Sequence, residues 1–118
     1  MNKTIIAIVV VLVIAGGVFY FLQPEQSTES RTHEVVLRFE GGKLVQGPEL
    51  FAVKKGDSIE LAITADAEEE FHLHGYDQST DVGPDKEPTL TFLADTAGRF
   101  VAELEGSKEE VWVLEVMP

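Results

Sequence analysis

The stretch Glu70–Asp77 reads EFHLHGYD and holds two of the three histidines of the chain, His72 and His74. In a β-strand, alternate side chains point to opposite faces, so the two imidazoles would share one face while Phe71 and Leu73 share the other. Two residues span roughly 7 Å along a strand, and imidazoles at that spacing can converge on one metal ion. The same spacing also suits two ordinary histidines at the rim of a core strand, so it leaves both interpretations open.

Short alternating segments continue through the part of the chain after residue 32. Apolar and polar residues alternate with a period of two, and turn residues separate the segments, which are 35–39, 58–65, 89–93, 100–104 and 111–116. No segment in this part shows helical periodicity over more than two turns. Several short strands with regular turn signals are typical of a β-sandwich or barrel. The sequence therefore predicts an all-β domain over residues 33–118.

The sequence also predicts the local structure of a turn, a loop and two single residues within the domain. The segment Lys54–Asp57 predicts a tight turn in which Gly56 takes a positive φ. The polar, proline-containing segment Gln78–Pro88 predicts a loop. His33, where the domain begins, is predicted to be solvated, and Trp112 in the last strand is predicted to pack in the core.

The first 22 residues differ from the rest in composition. Residues 4–22 form a run of nineteen residues without a charge, and as a helix this run would be about 28 Å long, close to the hydrocarbon thickness of a bilayer. We therefore predict a single transmembrane helix in residues 1–22, a flexible polar linker at 23–32 and the domain at 33–118. A cleaved signal peptide is the alternative, although its apolar region is usually only about 7–15 residues long.

Charges on either side of the apolar run predict its orientation. Lys3 and the amino terminus precede it and Glu25 and Glu29 follow it, and positively charged flanks stay in the cytoplasm. The domain is therefore predicted to lie in the periplasm or outside the cell. All 21 acidic and eight of the nine basic residues follow residue 22, so this part carries a net charge of −13. Such a charge disfavours nucleic acid as a partner and favours cations.

Three motifs, taken in order, resemble the cupredoxin family. Val53–Leu61 (VKKGDSIEL) is similar to the turn that opens a cupredoxin strand, Phe71–Gly75 (FHLHG) to a histidine strand, and Ala97–Phe100 (AGRF) to the turn before the strand that leads to the copper loop. The FHLHG run is also similar to the HLHG stretch of multicopper oxidases, whose domains are cupredoxins. The resemblance covers residues 33–118 and implies a Greek-key β-sandwich or barrel.

The same resemblance shows which copper ligands are missing. A blue-copper centre needs a thiolate, and the position that the family pattern gives it, six residues after Gly98, holds Leu104. The chain has no cysteine, and residues 106–110 contain neither the histidine nor the methionine expected downstream. A blue-copper electron carrier is therefore excluded, and so is a trinuclear oxidase centre, which needs many more histidines.

What remains at this end of the implied domain is two imidazoles and a carboxylate. The resemblance implies that the strand carrying Leu104 ends near the histidine strand, so His72 and His74 with Glu105, or with Glu103, would form a site suited to Cu(II) or Zn(II). The alternative is a metal-free cupredoxin scaffold that contacts a protein of the cell envelope. The sequence shows no nucleophile elbow, ordered triad or phosphate loop, and we predict that the protein is not an enzyme.

Overall fold

The computed structural model describes residues 29–118, so the predicted anchor at 1–22 and most of the predicted linker lie outside the described residues. Nine strands follow one another: β1 (Thr32–Glu40), β2 (Lys43–Gln46), β3 (Leu50–Lys54), β4 (Ser58–Ala65), β5 (Glu69–Leu73), β6 (Gln78–Val82), β7 (Thr89–Leu93), β8 (Gly98–Leu104) and β9 (Glu109–Met117). Within residues 29–118 no helix is long and apolar enough to cross a membrane.

The strands form two sheets. The four-stranded sheet has the order β2-β1-β4-β7, and the five-stranded sheet has the order β3-β9-β8-β5-β6. The pairs β1–β4 and β3–β9 are parallel, whereas the other neighbours run antiparallel. The chain passes from the four-stranded sheet to the five-stranded sheet between β2 and β3, and returns for β4. Strands that follow one another in the chain therefore often lie in different sheets, which gives a sandwich rather than a simple meander. The prediction of an all-β sandwich is confirmed for the described residues.

The core lies between the two sheets and follows the period-two pattern. In β4 the side chains alternate between half-buried and buried along the whole strand, with Ile59, Leu61 and Ile63 fully buried. Both sheets contribute to one apolar cluster. Trp112 of β9 belongs to this cluster and is 1% exposed, which confirms that it packs in the core.

The prediction of a loop at Gln78–Pro88 is wrong in its first part. Gln78–Val82 forms β6, which pairs antiparallel with β5 at the edge of the five-stranded sheet. In its sequence, QSTDV, Val82 alone is buried. An edge strand takes its ladder hydrogen bonds from the backbone and needs few buried side chains, so apolar alternation does not reveal it.

His33 also differs from its prediction, because it is half-buried and paired rather than solvated. Its Nε2 lies 2.8 Å from an Asp57 carboxylate oxygen. Asp57 is 5% exposed and also accepts backbone N–H groups from Arg31 (3.0 Å) and Lys54 (3.2 Å). The Arg31 N–H and then the His33 imidazole lower the Asp57 pKa from its ordinary 3.8 to about 2. This cluster ties the start of β1 to the turn at Gly56, whose φ is 99°, positive as predicted.

Candidate metal site

The predicted ligands lie on the outer face of the five-stranded sheet. β5 and β8 are antiparallel neighbours in which His72 stands opposite Glu103 and Phe71 opposite Leu104. Phe71 and Leu104 are fully buried in the core. Because side chains alternate along a strand, His72 and Glu103 therefore point away from the core. Glu105 follows β8 directly, and its carboxylate lies beside the His72 ring.

His74 follows β5 directly, in a turn whose shape is set by its neighbours. The His74 backbone N–H donates to the Val101 carbonyl at 3.0 Å. Gly75 has a φ of +88°, and a Cβ there would come within 2.5 Å of the Phe100 ring, so only glycine fits. The Tyr76 ring packs edge-on against Phe100 at 4.6 Å, and its hydroxyl donates to a backbone carbonyl of the β7–β8 turn at 2.7 Å. Burial raises the pKa of this hydroxyl.

The two imidazoles and two carboxylates form diagonal cross-strand pairs. The ring centroids of His72 and His74 are 4.2 Å apart. His72 Nδ1 lies 2.9 Å from Glu105 Oε1, and His74 Nε2 lies 3.2 Å from Glu103 Oε2. One ligand atom each from His72, His74 and Glu105 lies within 4.8 Å of the other two. The structure thus brings together all three sequence-predicted residues and the alternative Glu103.

This geometry is close to what one metal ion requires. Nitrogen and oxygen ligands bind Zn(II) at about 2.0–2.2 Å, which places them roughly 3.4 Å from one another around a tetrahedral ion. The side chains of His72, His74 and Glu105 are 29%, 47% and 36% exposed. They are therefore free to rotate by the ångström or so that brings their ligand atoms onto one ion. Glu103 is placed to hold the second nitrogen of His74, as carboxylates commonly do for metal-bound histidine.

Further acidic side chains surround this group. Glu70 lies on the same face and accepts a hydrogen bond from the Ser79 hydroxyl at 3.2 Å. Asp81 stands opposite Glu70 in the β5–β6 register. An adjoining groove is lined by these two carboxylates, by Glu105 and by one basic residue, Lys86. The excess of negative charge favours a cation at this face of the sheet.

The site does not coincide with the position that the resemblance assigned to a copper thiolate. That position, Leu104, is fully buried and stands opposite Phe71 between the sheets. His72 lies one residue further along β5 and faces outward. The imidazoles and Leu104 therefore lie on opposite faces of the five-stranded sheet. A metal site built on His72 uses the outer face, whereas Leu104 lies on the face that packs in the core.

Comparison with known proteins identifies the fold. No protein-family model matches the sequence, and no characterised protein matches it. Solved structures do match. One chain of a heme-copper terminal oxidase dimer superposes with a TM-score of 0.61 at 12% identity, covering 96% of this chain and 95% of that chain.

Two further structures agree. The periplasmic domain of cytochrome oxidase subunit II from Bradyrhizobium japonicum matches with a TM-score of 0.58 at 11% identity, covering 71% of this chain and 83% of its own. The purple cupredoxin of Nitrosopumilus maritimus matches with a TM-score of 0.52 at 8% identity, covering 70% and 97%. At these identities the likeness shows the fold alone. The domain has a cupredoxin-like fold, as its motifs predicted, and it lacks the cysteine of a blue-copper site.

Proposed function

We propose that this protein is a membrane-anchored, extracytoplasmic cupredoxin-like domain that binds Cu(II) or Zn(II) through His72, His74 and Glu105. The observation that carries the proposal is the approach of three ligand atoms to within 4.8 Å of one another on an exposed, acidic face. Two imidazoles and a carboxylate, without sulfur, suit Cu(II) or Zn(II) better than Cu(I). Such a site holds or transfers a metal ion, and the proposal includes no catalysis.

The placement at the membrane rests on the sequence and on the kind of proteins that share the fold. The uncharged run at 4–22 and the −13 charge after it support an anchor with an exported domain. The similar structures include a periplasmic domain and a chain of a terminal oxidase dimer. They support a partner protein in the cell envelope.

A metal-free scaffold that contacts an envelope protein is the second candidate, and one observation favours it. Each imidazole already has a carboxylate partner at one ring nitrogen, His72 at 2.9 Å and His74 at 3.2 Å, so both rings are held in place without an ion. In that case the two pairs are surface side-chain contacts, which contribute little to stability, about 0–1 kcal/mol each.

Titration calorimetry distinguishes the two candidates. The full chain in non-ionic detergent is titrated with Cu(II) and with Zn(II), beside His72→Ala/His74→Ala and a control, Glu115→Gln, which removes an exposed carboxylate elsewhere on the same sheet. We expect one tight ion per chain in the wild type and the control, and its loss in the double variant. Equal affinity in all three would assign binding to scattered carboxylates. No binding in any of them would leave the scaffold function.

Protease added to intact cells or spheroplasts tests the placement. An exported, anchored domain is removed by the protease while the cytoplasm stays intact. Full protection of the domain would contradict the proposed orientation, and release of a shorter form without protease would indicate a cleaved signal peptide instead of an anchor.

A further inference from the structure

A groove lies beside the first half of β9 and shares no residue with the candidate metal site. Gly42, the start of β2 and Glu49 form one wall and β9 the other, and the groove has a volume of about 420 Å³. Its lining is made by the following residues: Gly42, Lys43, Leu44, Glu49 and 109–113.

The backbone of β9 has an open edge along this groove. β3 pairs with β9 from Val113 onward, where Leu50 is its partner, and the Val113 N–H donates to the Glu49 carbonyl at 3.0 Å. Within the described part of the chain, β8 is the other neighbour of β9. Residues 109–112 therefore have a strand on one side only. Such an edge is a template for an added extended segment.

Charge and apolar contact indicate what kind of segment fits. Glu49, Glu109 and Glu110 line the groove against a single basic residue, Lys43, and Val111 adds an apolar surface. An extended segment presents alternate side chains to opposite sides. A segment in which basic and apolar residues alternate would place its cations among the carboxylates and its apolar side chains against β9.

Trp112 supplies an independent sign that the groove is incomplete. It lines the groove, it is 1% exposed, and its indole N–H has no acceptor among the described residues. A buried donor without an acceptor is unfavourable, and a carbonyl from a bound segment would provide one after a small opening of the groove. Trp112 is also the only tryptophan of the chain, so its fluorescence reports on this place alone.

We propose that this groove binds an extended, basic segment of a partner protein, which adds as a strand to residues 109–112 of β9. The segment's backbone pairs with the free edge, its cations face Glu49 and Glu110, and its apolar residues contact Val111. The groove and the metal site share no residue, so binding of this segment is tested apart from metal binding.

A peptide titration with the full chain in non-ionic detergent tests the proposal. The probe is a short, end-blocked peptide of alternating lysine and valine carrying a fluorescent label. It is compared with a glutamate–valine peptide and with a lysine–valine peptide whose backbone nitrogens are methylated on alternate residues. Anisotropy of the label measures binding, and Trp112 emission measures occupation of the groove. We expect saturable binding of the unmethylated lysine peptide alone, with a shift in Trp112 emission.

Two charge-reversal variants with the same net charge complete the design. Glu49→Lys/Glu110→Lys is expected to weaken binding by at least about tenfold, because like charges would then face each other. Glu34→Lys/Glu60→Lys, on the outer face of the other sheet, is expected to change it by less than about twofold. Thermal melts verify that both variants fold. Equal weakening in both, equal binding of the methylated peptide, or no saturable binding to the wild type would each overturn the proposal.

Discussion

Two of the three histidine–carboxylate pairs in this domain have nearly the same length and opposite surroundings. His33 lies 2.8 Å from Asp57, and His72 lies 2.9 Å from Glu105. The Asp57 side chain is 8% exposed and accepts two backbone N–H groups as well, whereas the Glu105 side chain is 36% exposed and has acidic neighbours. Because of its burial and its backbone donors, the His33–Asp57 pair has a structural role. The second pair lies on an exposed, acidic face that a metal ion can reach. Surroundings rather than the bond itself therefore separate a structural pair from a candidate ligand pair.

The largest expected effect is stabilisation by metal at the exposed pair. Free Zn(II) at about 100 times its Kd is expected to stabilise the wild-type chain by about 2.7 kcal/mol, because the ion binds the folded state. Chemical denaturation with and without the ion measures this. His33→Ala is expected to keep the increment while lowering the starting stability, and His72→Ala/His74→Ala to lose it. An increment that survives in the double variant would place the ion elsewhere.

A change in the buried pair is expected to lower the stability of the domain and to leave metal binding unchanged. Asp57→Asn leaves buried N–H groups with a weaker acceptor and should lower the free energy of unfolding by about 2 kcal/mol, without changing metal affinity. Asp85→Asn, an exposed residue of the β6–β7 connection, is the matched control, with an expected change of about 0.5 kcal/mol or less. An Asp57 variant as stable as the control would remove the distinction between the two pairs.

The pH dependence of the free energy of unfolding tests the structural role of the His33–Asp57 pair in a second way. The Asp57 pKa is lowered to about 2 in the folded state from an ordinary 3.8. Its contribution is therefore fully present above about pH 4 and is lost as the pH falls from there through about 2. Denaturation curves of the wild type and Asp57→Asn should accordingly differ most above pH 4 and converge near pH 2. Parallel curves throughout would show that the charge of Asp57 does not matter.

The smallest expected effect concerns Glu103. Removing a carboxylate that holds a metal-bound histidine typically weakens metal binding by 10-fold to 100-fold, and for the exposed His74 we expect about tenfold from Glu103→Gln. Competition with a chelator measures the change. Glu105→Gln, which alters a direct ligand, should cost more than Glu103→Gln. The reverse order would make Glu103 the third ligand and Glu105 the supporting residue.

Period-two patterning predicts much of this structure, because alternation is what a half-buried strand imposes on its sequence. The burial of Ile59, Leu61 and Ile63 follows from it directly. The approach of His72 and Glu105 is predicted only when the family resemblance is added, because the resemblance places the two strands side by side. The same pattern does not reveal the polar strand β6, since backbone pairing at an edge leaves no apolar signature.

Contacts between distant residues also escape the sequence pattern. His33 and Asp57 are separated by 24 positions, and they meet because β1 and β4 are parallel neighbours. Nothing near His33 in the sequence indicates that partner. Likewise, the diagonal pairing of His74 with Glu103 depends on the β5–β8 register, which only the folded sheet defines.

The parallel pairing of β1 with β4 has a mechanical consequence. Eight residue pairs, from Thr32–Ser58 to Phe39–Ala65, hold β1 along β4, and Asp57 fastens the chain just before the first of them. A force that pulls on the amino-terminal end of the domain acts along β1. It loads this ladder in shear, so that many hydrogen bonds resist together instead of opening one after another. The end of the domain that would face an anchor is thus held by a ladder arranged to resist tension.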